Sequence, residues 1–206
     1  AGMMRTTLVC CRPEDESLDS RNRPTPLELR TVAMIVRQTP DRAGAFAALP
    51  GAKAHGAGYI DDVVKAGAVG VITDEAGAKL IGSKLPVIVI SNPRRVLGDI
   101  CSWFYGSPSS AMQIVGITGT NGKTTTTTIL NQILQAAGKS TGLVGTIGIE
   151  IGPEKILASF TTPEASELQS LFATMKERHI SQVLMEVSSH ALEARRVAGT
   201  KFAMVG

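Results

Sequence analysis

The sequence predicts an α/β protein with two domains, and three observations support this fold class. Short apolar runs alternate with segments of helical periodicity along most of the chain. A glycine-rich stretch, ITGTNGKTTTTTIL at 117–130, joins a predicted strand to a predicted helix. A turn-rich GSPSS at 106–110 interrupts the alternation, and we place the domain boundary there.

The first predicted domain covers residues 31–109. Before it, residues 1–30 are charged and proline-bearing, so we expect an irregular segment that opens with an expression scar, Ala1-Gly2, before Met3. The domain is predicted to contain strands at 45–49, 69–73 and 87–90, a helix near 59–66 and a second helix in PRRVLGDICSWFYG at 93–106. The apolar runs VGVIT and VIVI predict that the second and third of these strands are buried.

The second predicted domain covers residues 110–206. In order, the patterns predict a strand at 113–117, a helix at 123–137 ended by Gly138, a strand region at 141–151, a helix at 164–178 and a strand in SQVLMEVSS. KFAMVG at 201–206 is the start of one more predicted strand, where the chain stops. We therefore expect a fragment with a truncated second domain, which self-associates through an exposed apolar sheet edge.

Composition argues against several classes of function. The net charge is only +3, and Lys and Arg are spread along the chain, which does not favour nucleic-acid binding. No segment approaches the ~20 apolar residues of a membrane helix, so we expect no membrane insertion. Three cysteines, two of them adjacent, make a poor disulfide framework, and no secretory signal is visible. These features favour a cytoplasmic protein.

The stretch from strand to helix at 117–130 is predicted to bind the phosphates of a nucleotide. Glycines allow a tight loop whose amides point at an anion, and the following helix start adds its own unpaired amides. The lysine is expected to reach the β- and γ-phosphates, and the first threonine hydroxyl to bind Mg²⁺. The general G-x-x-x-x-G-K-[ST] pattern is not fully met, since Ile117 stands at its first position. The predicted ATP-binding residues are Gly119, Thr120, Asn121, Gly122, Lys123, Thr124 and Thr125.

Two further polar groups follow predicted strands. Glu186 ends the apolar run VLMEV, and ligands of open α/β sheets bind at the carboxyl ends of the strands. We expect Glu186 to face the phosphate loop and to hold Mg²⁺ together with Thr124; the alternative is an acid paired with a nearby Lys or Arg. Thr161 and Thr162 suit an anionic substrate group, and the alternative is N-capping of the helix at 164–178.

The motifs GITGTNGKTTTT, GLVGTIG, TTPEASELQ and VLMEVSSHALEARRV occur in this order over 111–206. Together they resemble the Mur ligases of peptidoglycan synthesis, and within them the MurE-like group that adds the third residue of the stem peptide. The resemblance implies an N-terminal α/β domain that binds a UDP-sugar, at 31–109. It also implies that 110–206 are the first part of a P-loop-type, mostly parallel α/β domain that binds ATP.

The resemblance also implies a reaction and its participants. ATP phosphorylates the free carboxylate of UDP-MurNAc-L-Ala-D-Glu, and the amine of meso-diaminopimelate or L-lysine attacks the acyl phosphate. Lys123 and Glu186 are implied as catalytic residues. The implied substrate-binding residues are Thr161, Thr162, Ser188 and Arg196, with Ala52, Lys53 and Ala54 on the uracil side.

Other functions remain open at this stage. A small-molecule kinase would release ADP without needing an amino acid, whereas the ligase needs both the UDP-sugar dipeptide and the amino acid. Folylpolyglutamate synthetase shares the fold type but lacks a comparable UDP-binding first domain. A non-catalytic nucleotide-binding module is the alternative from a different class, and we expect the chain alone to bind nucleotide without completing amide synthesis.

Overall fold

The computed structural model describes residues 33–36, 44–51, 54–156 and 161–206. They form two compact units, one ending at Arg94 and the other beginning at Arg95. No helix in these described stretches combines the length and the apolar character needed to cross a bilayer.

The first unit is a four-stranded sheet with short helices. Its elements are β1 (Ala33–Val36), β2 (Gly44–Ala48), a 3₁₀ turn (Gly56–Tyr59), α1 (Ile60–Lys65), β3 (Ala68–Thr73), α2 (Glu75–Ile81) and β4 (Val87–Val89). The strand order is β1-β2-β3-β4, in which β1 pairs antiparallel with β2 and the other pairs are parallel. Phe46, Val71 and Ile81 lie in its core.

Strand β4 corrects one expectation. The run VIVI predicted a buried strand, but Ile88 and Val89 are 62% and 50% exposed. The reason is position, because β4 is the last strand of its sheet and pairs only with β3 among the described strands. An apolar run identifies a strand without showing whether both of its faces are covered.

The second unit contains the remaining elements. They are α3 (Pro93–Phe104), a 3₁₀ turn (Pro108–Ala111), β5 (Gln113–Ile117), α4 (Lys123–Ala136), β6 (Thr141–Val144), β7 (Ile149–Ile151), β8 (Glu154–Ile156), α5 (Ala165–Glu177), β9 (Gln182–Glu186), α6 (Ser189–Glu193) and β10 (Met204–Val205). The strand order is β10-β5-β9-β6-β7-β8. The pairs among β10, β5, β9 and β6 are parallel, and those of β6 with β7 and of β7 with β8 are antiparallel.

The mostly parallel α/β sheet predicted for this part of the chain is therefore confirmed, with one correction. The sequence predicted a single strand region over 141–151, but the chain reverses between β6 and β7. Gly145 and Gly148 close the turn through reciprocal backbone hydrogen bonds of 3.0 and 3.3 Å. The core under the sheet combines strand residues such as Ile114 and Met185 with Phe172 of α5.

Helix α3 lies almost wholly in the second unit, so the contact boundary precedes the boundary predicted at 109/110. A Cβ on Gly98 would lie 2.3 Å from the carbonyl oxygen of Ala198, and one on Gly199 would lie 2.3 Å from the oxygen of Gly98. The backbones therefore touch, which only glycine allows. A turn-rich stretch such as GSPSS can lie within a unit when the helix before it docks in this way.

Candidate functional site

The carboxyl ends of three neighbouring parallel strands bring the candidate site together. Strand β9 lies between β5 and β6, with Ile117 opposite Glu186 and Val144 opposite Met185. The residues that follow β5 and β6 therefore emerge beside the end of β9. This places the glycine-rich loop, Glu186 and the turn after β6 at one edge of the sheet, where open α/β sheets bind their ligands.

The loop between β5 and α4 offers a row of backbone amides. Gly119 and Gly122 have φ values of +131° and +83°, which side chains other than glycine rarely adopt. The first amide of this region with a backbone partner in the helix is that of Thr126, which donates to the Gly122 carbonyl. Within the described part of the chain, the amides of 119–125 donate no hydrogen bond. A loop of unpaired amides at a helix start is a binding site for an anion.

Lys123 adds a positive charge to the same loop. Its Nζ atom donates to the carbonyl oxygen of Gly119 at 2.6 Å and lies 3.4 Å from that of Thr120. The ammonium group is thereby held against the loop rather than extended into solvent. Thr120 and Asn121 are exposed, as is Thr125 in the first turn of α4. The predicted phosphate-binding residues thus form one continuous, accessible surface.

Glu186 is buried and faces this loop. Glu186 is only 2% exposed, and its carboxylate accepts three hydrogen bonds. Thr124 Oγ1 donates to Oε2 at 2.9 Å, the Thr146 amide donates to Oε1 at 2.9 Å, and Thr146 Oγ1 donates to Oε2 at 3.1 Å. No Lys or Arg is among these partners, so the alternative of a simple ion pair has no support in the described residues. All three donors are uncharged groups.

Gly145 makes room for this carboxylate. A Cβ atom there would lie 2.3 Å from Glu186 Oε1 and 3.1 Å from its Cδ atom. Any larger residue would force the carboxylate from its place between Thr124 and Thr146. Glycine is required at this position by contact with Glu186 and not by a positive φ angle.

The hydroxyl of Thr124 and the carboxylate of Glu186 fit Mg²⁺ as partial ligands. Both supply hard oxygen atoms, and Mg²⁺ in phosphate sites is held by one or two protein oxygens together with phosphate and water. Their hydrogen bond of 2.9 Å brings them to the same end of α4. Among the described residues, no group of three or more His, Cys, Asp or Glu side chains could hold a metal by itself. The fit is therefore to a metal that arrives with phosphate.

Thr161 and Thr162 lie close to Glu186 and Thr146, and the two have different surroundings. Thr162 is 1% exposed, and its hydroxyl donates to the Glu186 carbonyl at 2.9 Å and accepts from the Ser188 amide at 3.2 Å. The hydroxyl of Thr162 thus has two partners inside the protein, and a contact of Thr162 with substrate stays a prediction. Thr161 is half-buried, and its Oγ1 lies 3.1 Å from Thr146 Oγ1. The N-capping alternative is also wrong, since Glu164 occupies the N-cap of α5.

Ser188 and Arg196 support the segment that carries Thr161. The Ser188 hydroxyl accepts a hydrogen bond from the Ala191 amide at 3.1 Å and so caps α6. Arg196 forms a buried ion pair with Glu164, with 2.8 Å between Nε and Oε1, and its NH1 donates to the Thr162 carbonyl at 3.1 Å. The guanidinium therefore braces the backbone of this segment. A direct contact of Ser188 or Arg196 with substrate stays a prediction.

The predicted uracil-side residues are only partly described. Ala52 and Lys53 lie outside the described residues. Ala54 is exposed, and its carbonyl accepts a hydrogen bond from the Gly51 amide at 3.1 Å. Its role in binding stays a prediction.

Three residues of the site were not identified from the sequence. Thr146 and Gly145 lie in GLVGTIG, and Glu164 lies in TTPEA. Both motifs contribute to the family resemblance, but neither indicates a role for these positions. The two glycines around Thr146 are a signal of a tight turn next to a strand end, and this signal could have indicated the turn. The partnership of Glu164 with Arg196 spans 32 positions and has no local signal.

Comparison with known proteins identifies relatives of this region. Residues 117–205 match the Mur ligase middle domain. The chain is 47% identical over 158 residues to UDP-N-acetylmuramoyl-L-alanyl-D-glutamate--2,6-diaminopimelate ligase of Streptomyces avermitilis, covering 76% of this chain and 31% of the relative. It is 45% identical over 166 residues to the protein of the same name in Corynebacterium glutamicum, covering 79% of this chain and 32% of the relative. The chain thus spans about a third of the length of these curated relatives.

A solved structure has the same fold. It is described as UDP-N-acetylmuramoyl-L-alanyl-D-glutamate--2,6-diaminopimelate ligase and superposes with a TM-score of 0.65 at 24% sequence identity. The superposition covers 81% of this chain and 34% of that structure. At this identity the likeness concerns the fold alone.

Proposed function

We propose that the chain, whose residues 117–205 match the Mur ligase middle domain, is the nucleotide-binding part of an ATP-dependent ligase of peptidoglycan precursor synthesis. The ligase joins an amino acid, meso-diaminopimelate or L-lysine, to UDP-MurNAc-L-Ala-D-Glu. Identities of 45–47% to two proteins named as 2,6-diaminopimelate ligases favour meso-diaminopimelate.

One observation carries the nucleotide-binding part of this proposal. The amides of 119–125 have no partner within the described residues, and they lie beside both Lys123 and the Thr124–Glu186 pair. A turn without a ligand has no need for a lysine, a row of unpaired amides and a buried carboxylate at one sheet edge. A polyphosphate accounts for all three, because it uses the amides, the ammonium and a metal held near the acid.

The reaction has two steps. A substrate carboxylate oxygen attacks the γ-phosphorus of ATP, the bond to the β,γ-bridging oxygen breaks, and ADP leaves. The amine of the amino acid then attacks the acyl phosphate and expels inorganic phosphate, which leaves an amide. The main obstacle in the first step is charge repulsion between a polyphosphate and a carboxylate, so catalysis depends on positioning and electrostatic stabilisation.

The residues of this chain divide that task. The amides of 119–125 and Lys123 bind the phosphate oxygens and offset their charge. Thr124 and Glu186 would hold Mg²⁺, and the ion would supply a Lewis acid that offsets negative charge on the phosphates. Thr161 contacts the second substrate, while Thr162, Ser188 and Arg196 keep its backbone segment in place.

The proposal extends to the rest of the chain. Residues 31–109 bind the UDP-sugar, with Ala52, Lys53 and Ala54 on the uracil side. Because ATP and nucleotide sugars are made in the cytoplasm, the protein acts there. Strand β10 lies at the edge of its sheet with Met204 and Val205 exposed at 66% and 71%, and the chain self-associates through this edge. Sedimentation of Val205→Lys against the unsubstituted chain tests the last point, since a lysine on an edge strand opposes strand pairing.

Calorimetric titration with ADP and Mg²⁺ tests the nucleotide site. Lys123→Met is expected to weaken binding about tenfold or more, since it removes a charge-assisted contact. Lys139→Met is the matched control, because Lys139 is an exposed lysine just beyond the other end of α4, and it should bind as the unsubstituted chain does. Equal affinity of the two variants would overturn the assignment of the loop.

Ligase and kinase are separated by product analysis. We expect ADP formation to require UDP-MurNAc-L-Ala-D-Glu and the amino acid together in a protein of the relatives' full length. ADP that forms without the amino acid would favour a kinase. Amide synthesis by the 206-residue chain alone would contradict the prediction that this chain binds nucleotide without turnover.

A further inference from the structure

Thr146 connects the two halves of the site through a single hydroxyl. Its Oγ1 lies 3.1 Å from Glu186 Oε2 and 3.1 Å from Thr161 Oγ1. Its backbone amide separately donates to Glu186 Oε1 at 2.9 Å. The side chain thus bridges the acid on the metal side and the threonine on the substrate side.

The number of hydroxyl hydrogens determines which group donates in each hydrogen bond of this bridge. A carboxylate only accepts, so the hydroxyl of Thr146 donates its one hydrogen to Glu186. The contact of 3.1 Å between the two threonines then requires that Thr161 donates to Thr146. With its hydrogen used, Thr161 presents only oxygen lone pairs to a ligand. The charge of the carboxylate favours this order, because hydrogen bonds to ionised acceptors are about twice as strong as neutral ones.

We propose that Thr146 is a positioning residue that fixes the Glu186 carboxylate for Mg²⁺ and makes Thr161 a hydrogen-bond acceptor toward the second substrate. This rests on the proposed function of the nucleotide site. The group that meets Thr161 is then a donor, such as an amide N–H or a sugar hydroxyl, rather than the anionic group expected from the sequence. In this role Thr146 acts through its two neighbours, Glu186 and Thr161.

Nucleotide binding with and without metal tests the positioning role. ADP affinity is measured by calorimetry in excess Mg²⁺ and again in EDTA for the unsubstituted chain and for Thr146→Val, Thr146→Ala and Thr146→Ser. Loss of a group that orients a metal ligand typically lowers metal affinity about 10–100-fold. The amide of Thr146 still holds Oε1, so we expect valine and alanine to weaken Mg²⁺-dependent binding about tenfold and to leave binding in EDTA unchanged. Serine keeps the hydroxyl and should bind within about twofold of the unsubstituted chain.

The matched control is Thr174→Val. Thr174 donates its hydroxyl to the Ser170 carbonyl within α5, and this substitution removes one internal hydrogen bond without touching the site. It should leave both affinities unchanged. Thr146 itself is exposed in a turn, so folding of its variants is expected and is checked by thermal melting.

The outcomes distinguish a failure of this inference from a failure of the proposed function. Equal Mg²⁺-dependent affinity in the valine, alanine and unsubstituted chains would overturn the role of Thr146 and leave the nucleotide site intact. A valine-like defect in the serine variant would do the same. An unsubstituted chain that binds ADP no better with Mg²⁺ than in EDTA would overturn the proposed metal site, and the inference with it.

Discussion

Gly145→Ala is expected to damage the site through contact with Glu186. The new Cβ atom would lie 2.3 Å from Oε1, 3.1 Å from Cδ and 3.3 Å from Cγ, so the whole carboxylate must move. It cannot move without losing the amide of Thr146 at 2.9 Å, and rotation also weakens its contact with Thr124. Hydrogen bonds to charged groups contribute about 1.5–3 kcal/mol each.

We therefore expect the free energy of unfolding to fall by about 2–3 kcal/mol, measured by urea denaturation. For a protein of this size that corresponds to a decrease in Tm of about 4–12 °C. Mg²⁺-dependent ADP binding should weaken together with stability, because the carboxylate is displaced. Loss of both properties from a single methyl group is the signature of this contact.

Gly142→Ala is the matched comparison in the same strand and turn region. Its Cβ atom would lie 2.8 Å from the terminal methyl of Met175, a flexible side chain that can move. We expect a loss of about 1 kcal/mol, the low end of the cost of overpacking a core, and unchanged nucleotide binding. The reasoning is refuted if Gly145→Ala melts and binds like the unsubstituted chain, or if the two alanine variants behave alike.

Three further predictions concern other parts of the two units. Arg196→Met removes the cation 2.8 Å from buried Glu164 and should lower the free energy of unfolding by about 3 kcal/mol in urea; a change below ~1 kcal/mol would contradict the ion pair. Burial raises the pKa of the Cys101 thiol from 9.0 to about 12. The contribution of this buried thiol to the free energy of unfolding is therefore full below pH 9 and is lost as the pH rises toward 12. The free energy of unfolding should fall less steeply with rising alkaline pH in Cys101→Ala than in the unsubstituted chain. Identical slopes in the two proteins would contradict the burial of the thiol. The Gly77 amide, above all, lowers the pKa of Asp74, so Asp74 stabilises α2 above pH ~4 and loses this effect as the pH falls below its folded pKa. Asp74→Ala should cost about 1 kcal/mol at neutral pH by removing the N-cap, and it should flatten the acid limb of a pH titration of stability.

Much of the second unit was predictable because its signals are local. The strand at 113–117, the helix from Lys123 and the cap at Gly138 (φ +74°) occur where the sequence places them. Periodicity and glycine positions predict local structure from a few neighbouring residues, so the prediction does not depend on how the elements pack. The same locality explains why the reversal between β6 and β7 was missed, since a run of apolar residues looks alike in one strand and in two.

The environment of each side chain was less predictable. The sequence assigned Thr161 and Thr162 the same role, but one hydroxyl is buried under Glu186 and the other faces Thr146. The run VIVI indicated burial, but β4 is an edge strand. Both differences depend on which strand lies next to which, and this is not encoded within any single motif.

The sequence by itself determined the α/β class, the glycine-rich loop between a strand and a helix, and the presence of an acid at the end of a strand, because each depends on residue types at short spacing. Only the tertiary structure decided that Glu186 receives hydrogen bonds from both Thr124 and Thr146, and that Gly145 must be small. The order of parallel strands β5-β9-β6 brings Thr124 and Glu186, which are 62 positions apart, to one sheet edge. Hydrogen bonds act over about 3 Å, so chemistry at this edge is set by strand order rather than by spacing along the chain.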